Sequence, residues 1–109
     1  MRPARGEVWL FDLGMAEKVR PALVISVAFG DADRALVTIV PHTTSLRGSQ
    51  FEIPVSVPFL KAGAFMAQGV STYPNVRAMR KLGVLKPDQF RLVFAGVLRW
   101  LGQDQPPKS

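Results

Sequence analysis

The sequence predicts a mainly β chain of the α+β class: a small, strongly bent barrel of short strands with one amphipathic helix at its C-terminal end. Two observations carry that prediction. Up to Leu85, short runs of β-branched, aromatic and aliphatic residues are broken by Gly, Pro, Asp and Asn. After Pro87 the period changes, and Phe90, Val93, Phe94, Val97, Leu98 and Leu101 recur as one face of a helix. The chain has 109 residues, the size of a single domain.

The elements follow in order. Glu7 to Asp12 is a compact strand, with Trp9 and Phe11 on one face as core or dimer-interface residues. Leu13 to Val19 is a loop. Pro21 to Ser26 is a continuous apolar run that suits a strand buried on both faces, with Pro21 at its first position, where a missing ladder donor matters least. Gly30 to Asp33 is a turn, and Leu36 to Val40 is a second buried strand stopped by Pro41. Gln50 to Val55 alternates as a strand. Pro58 to Gly63 reads as a connection, and Ala64 to Thr72 supplies short strands around Gly69. Tyr73-Pro74-Asn75 is a turn, Val76 to Lys81 a helical turn or strand edge, and Gly83-Val84-Leu85 a last short strand. Pro87 opens the helix, where its missing N–H costs nothing. Gly102 ends it. Residues 1–102 form the domain, and 103–109 a polar, Pro-containing flexible tail.

Composition narrows the function classes. The net charge of +6 and pI near 10.6 favour a polyanionic partner. There is no cysteine, so disulfides and thiolate metal sites are excluded, and the only histidine, His42, rules out a multi-histidine site. No cofactor is expected. The apolar stretches are too short for a membrane span, and the N-terminus lacks a signal-peptide core, which makes a cytoplasmic protein the expectation.

Three segments arrive in a distinctive order: Arg5-Gly6-Glu7-Val8-Trp9, then Arg20-Pro21-Ala22-Leu23-Val24-Ile25-Ser26, then Val40-Pro41-His42-Thr43-Thr44-Ser45. Together with Gly83-Val84-Leu85 leading into the terminal helix, they resemble the MazF/PemK/Kid toxins of type II toxin–antitoxin systems, from about Arg5 to Gly102. The resemblance implies an SH3-like barrel with appended helices, working as a homodimer. It also implies metal-independent cleavage of single-stranded RNA or mRNA, and an acidic antitoxin whose disordered tail occupies the RNA groove.

RNA carries its own nucleophile, the 2′-hydroxyl. An enzyme that uses it must align the groups, stabilise a charged phosphorane-like state and manage two proton transfers. Arg20 matches the family's catalytic arginine, and its planar donors suit phosphate oxygens. A surface pairing with Glu17 or Glu7 is the structural alternative. Thr43 matches the family's functional threonine, able to donate to a phosphate oxygen; a turn closed by Thr43, Thr44 and Ser45 on their own backbone is compatible with that role. His42 is an added candidate for the general base. The family does not require it, and strand alternation can turn it away from Thr43.

Lys18 in the first loop, and Thr44, Ser45 and Arg47 in the stretch that follows Thr43, are candidate RNA contacts. Arg77, Arg80 and Lys81 form a second basic cluster for RNA or antitoxin, and Tyr73 and Phe51 are candidates for base stacking. Two departures from the family prevent transfer of a cleavage motif: the loop Leu13 to Val19 is short, and Gln68-Gly69 stands where relatives often carry an acidic residue and a glutamine. Two other functions compete. One is a gyrase poison resembling CcdB, for which Trp100 near the C-terminus is the relevant residue. The other is a non-catalytic module that binds RNA or antitoxin.

Overall fold

The computed structural model describes residues 2–14 and 18–108. Among the described residues seven strands precede one long helix: β1 (Glu7–Asp12), β2 (Val19–Val24), β3 (Leu36–Thr43), β4 (Glu52–Pro54), β5 (Ala64–Met66), β6 (Ser71–Pro74), β7 (Ala78–Val84) and α1 (Pro87–Trp100). All pairings among them are antiparallel. The ladder runs β4-β5-β3-β2-β1-β7, with β6 branching from β3. No ladder joins β7 to β4 among the described residues, so the bent sheet is an open barrel. No helix among them is long and apolar enough to cross a membrane.

The bend follows from β3, whose first half (Leu36 to Ile39) pairs with β6 and whose end (His42 and Thr43) pairs with β5. The sheet thereby buries both faces. Val8, Leu23, Val40, Phe65, Val93 and Val97 fill a cluster between the sheet and α1, with Phe90 and Phe94 packed against it. Trp9, Phe11, Ala22, Val24, Val37 and Ile39 fill a second cluster, against which Tyr73 and Ala78 pack. β2 serves both, Leu23 on one side and Ala22 and Val24 on the other, as a continuous apolar run requires. Trp9 and Phe11 are core residues of the protomer, 4 % and 0 % exposed.

Three strands run through prolines expected to bound them. β2 starts at Val19, placing Pro21 third; β3 continues past Pro41 to Thr43; and β6 runs to Pro74, where a turn was expected. Each proline sits where one side of its strand lacks a ladder. The β2–β3 pairing begins only at Ala22, Pro41 falls between the β6 pair at Ile39 and the β5 pair at His42, and Pro74 ends a strand paired only with β3. A residue without an N–H is tolerated there. Val76 to Lys81 resolves into a 3-10 turn (Asn75–Arg77) followed by β7. The helix begins at Pro87 as expected, with the Lys86 N–H donating to Gln89 Oε1 at 2.9 Å. Leu101 lies beyond its last turn and is exposed; the helix buries Val93, Gly96 and Val97 and packs Phe90 and Phe94 against the core.

Candidate functional site

Strands β1, β2, β3 and β7 and the segment between β4 and β5 enclose a groove of about 680 Å³. Its walls carry Lys18, Arg20, Lys61 and Arg80, and its floor and rim carry His42, Thr43, Thr44 and Ser45. Leu10, Pro21, Phe59, Leu60 and Leu82 supply apolar surface. Among the described lining residues there are four cations and no carboxylate. A concave surface of one sign concentrates field and attracts an anionic ligand.

Arg20 is inside β2, paired in register with Phe11, whose side chain is fully buried. That anchoring fixes the arginine's backbone. Glu7, one of its two expected partners, is committed elsewhere: it accepts from Trp9 Nε1 at 2.9 Å and from the Ala4 N–H at 2.8 Å, and binds Lys81 Nζ at 2.9 Å. Burial pushes the Glu7 carboxyl up, but the hydrogen bonds from Lys81, Trp9 and Ala4 outweigh it and hold the pKa below the usual value. Glu17 lies outside the described residues.

Thr43 is the last residue of β3, opposite Ala64 of β5, and 5 % exposed. Its Oγ1 accepts the Ser45 backbone N–H at 3.0 Å. That bond uses a lone pair and leaves the hydroxyl hydrogen to donate, so the turn and a ligand contact coexist. Thr44 and Ser45 follow, exposed on the rim. Lys18 enters β2 from a left-handed backbone conformation, φ 54°, held by its N–H on Gly14 and by its carbonyl accepting from Leu13 at 2.7 Å. An L-residue resists that conformation, so Lys18 stands at the rim on strained backbone.

His42 is 4 % exposed and packs edge-on against Phe65, ring centroids 5.1 Å apart. Its Nε2 is buried without a hydrogen-bond partner. Burial pushes its pKa below 6.5, so the ring is uncharged at neutral pH.

The remaining candidates separate. Arg80 lines the groove, whereas Arg77 reaches the Asp12 carbonyl at 3.3 Å and its carboxylate at 4.0 Å, and Lys81 binds Glu7. Arg47 is outside the groove lining, on a loop whose N–H groups at Arg47, Gly48 and Ser49 all donate to Glu52. Tyr73 packs on the second core cluster, and Phe51 meets Trp100 edge-on at 5.3 Å. Lys61 is in the groove wall but was unmarked in sequence, because it lies in what reads as a connection.

This architecture is a known class. The structure is similar to the MazE–MazF complex from Deinococcus radiodurans (TM-score 0.78, 22 % identity, covering 94 % of this chain and 97 % of that one). It is similar to an endoribonuclease in complex with its cognate antitoxin from a mycobacterial species (0.79, 24 %, 95 % and 99 %). It also resembles the Mycobacterium tuberculosis toxin MazF-mt6 (0.74, 23 %, 93 % and 99 %). At these identities the shared property is the fold. The chain belongs to the PemK-like, MazF-like toxins of type II toxin–antitoxin systems, whose family model matches residues 4–101.

Proposed function

We propose that this toxin is an endoribonuclease that cleaves single-stranded RNA without a metal ion, and that Arg20 and Thr43 carry the reaction. The observation that supports this is the groove, in which two strand-anchored polar groups, Arg20 and Thr43, stand with Lys18, Lys61 and Arg80. The 2′-oxygen attacks the adjacent phosphorus and its proton passes to a base. The bond from phosphorus to the 5′-oxygen breaks, and that oxygen takes a proton, leaving a 2′,3′-cyclic phosphate and a 5′-hydroxyl. The Arg20 guanidinium binds the non-bridging oxygens as charge builds on them. The Thr43 hydroxyl donates to the same phosphate and sets its register.

Lys18, Thr44, Ser45 and Arg80 hold the flanking backbone, and Arg47 extends the path beyond the groove, whereas Arg77, an RNA contact in the sequence reading, is engaged by Asp12. His42 is the candidate base; as neutral imidazole it has one free lone pair. Its role requires Nε2 to gain access to the groove, and an unchanged pH–rate profile in His42→Gln removes it. An acidic antitoxin segment, binding in the same basic groove, neutralises the toxin in the cytoplasm. The toxin acts as a homodimer, for which exposed Val19, Val76 and Met79 offer apolar surface.

The test is incubation of the purified protein with mixed-sequence RNA in EDTA, followed by analysis of fragment ends. Cyclic-phosphate ends that disappear in Arg20→Ala are the expected result. Intact RNA with gyrase inhibition would replace this reading with the gyrase poison, and RNA binding alone would replace it with the non-catalytic module.

A further inference from the structure

The segment between β4 and β5 is held by close contacts at two glycines, Gly83 of β7 beneath Phe59 and its own last residue, Gly63, against β3. Val57 to Leu60 forms a turn, the Leu60 N–H donating to the Val57 carbonyl at 3.3 Å, and Val57, Phe59 and Leu60 all pack against the main core cluster. The Phe59 ring lies on the bare backbone of Gly83 in β7: a Cβ there would stand 2.6 Å from Phe59 Cδ2 and Cζ. A few residues on, Gly63 lies against the end of β3. A Cβ at that position would stand 2.9 Å from His42 Cε1 and nearer still to the Thr43 carbonyl oxygen. Between these two close contacts is Lys61, exposed and in the groove wall.

We infer that Lys61 is a phosphate-binding residue of the groove, placed by the Phe59–Gly83 contact so that it holds RNA backbone beside the phosphate that Arg20 engages. The inference rests on the ribonuclease reading and adds a substrate contact to it. A lysine on a free loop would lose conformational entropy on binding; here the backbone is fixed before the ligand arrives. The ammonium is a point donor without the geometry of guanidinium, so it strengthens binding of the backbone without reading sequence. The contact is present equally in substrate and transition state. Its loss therefore raises KM and leaves kcat in place.

The experiment measures binding of a fluorescent single-stranded oligonucleotide, 2′-deoxy at every position so that it cannot be cleaved, over a range of salt concentrations. It is paired with steady-state cleavage of the matching RNA. Lys61→Ala is expected to weaken binding roughly tenfold at low salt and to reduce the slope of log affinity against log salt by about one. It should raise KM to a similar degree with kcat unchanged, and Lys61→Arg should restore most of the affinity. Arg91→Ala, on the exposed face of α1, leaves both quantities unchanged. Gly83→Ala displaces Phe59, so adding Lys61→Ala to it should cost clearly less than Lys61→Ala alone, with thermal unfolding showing that Gly83→Ala folds. An unaltered salt slope in Lys61→Ala overturns the inference, as does a fall in kcat at unchanged KM. A wild-type protein that neither binds nor cleaves overturns the ribonuclease reading itself.

Discussion

Two basic regions of this molecule use the same residue types to opposite ends. Arg20 in β2 lines a groove together with Lys18, Lys61 and Arg80, while Arg77, just before β7, and Lys81 within it bind the carboxylates of Asp12 and Glu7. Only Arg80, between them, turns to the groove. Strand alternation separates Arg80 from Lys81, since successive side chains leave β7 on opposite sides, and Arg77 stands apart in the 3-10 turn before the strand. Clustering of charge in sequence is therefore a poor guide to clustering in space: of these three cations, Arg77 and Lys81 are paired within the fold.

The comparison can be broken most sharply at Arg20. Arg20→Ala should lower the rate of RNA cleavage by about a hundredfold or more, the usual loss when a donor to developing charge is removed, while the melting temperature stays near that of the parent. Thr43→Val removes one hydroxyl at constant shape and should cost about tenfold to a hundredfold in the same assay, as expected for a hydrogen bond to a charged group. Neither effect should appear in Arg77→Ala or Lys81→Ala if the division is correct.

Smaller effects concern stability. Glu7→Gln should destabilise the fold by about 1 kcal/mol in chemical denaturation, because the carboxylate gathers Lys81, Trp9 and the Ala4 amide. The folded-state pKa of Glu7 is depressed, so its contribution is complete above the unfolded-state value and is lost as pH falls through the folded one. His42 adds a term of the same direction at higher pH. Folding disfavours its charged form, so stability is full above 6.5 and declines as pH falls below it. His42→Gln should flatten the upper part of the pH–stability profile. Smallest of all, Arg77→Ala should shift stability by about 0.5 kcal/mol or less, since its pair with Asp12 is exposed.

Much of the fold was readable from period. The change from strand-like runs to helical spacing at Pro87 located α1, and the unbroken apolar run from Pro21 foretold a strand buried on both faces. Prolines misled the boundaries. A proline interrupts a strand only if both its neighbours are laddered, and which strands have one neighbour is a fact of tertiary structure. For the candidate site, Arg20 and Thr43 could be singled out because each adjoins an apolar, strand-forming run within an ordered set of motifs; that both lie within the strands themselves came from the structure. Lys61 could not, since nothing near it in sequence tells that Phe59 lies on Gly83 or that Gly63 meets Thr43. The apparent basic cluster at Arg77, Arg80 and Lys81 concealed its division because Glu7 and Asp12, which divide it, come from the other end of the chain.

That meeting of ends reaches further than the site. β1 finds a partner in β7, Glu7 opposite Val84, and Arg5 lies over the rings of Phe90 and Phe94 while donating to the Ile25 carbonyl. Leu10, Arg80 and Leu82, which share the groove, come from the same pair of strands. The first strand of a nascent chain must thus wait for nearly the last residues to be translated before it can be paired on both sides. A chain that stops short of β7 lacks Arg80 and Leu82, and with them one wall of the groove.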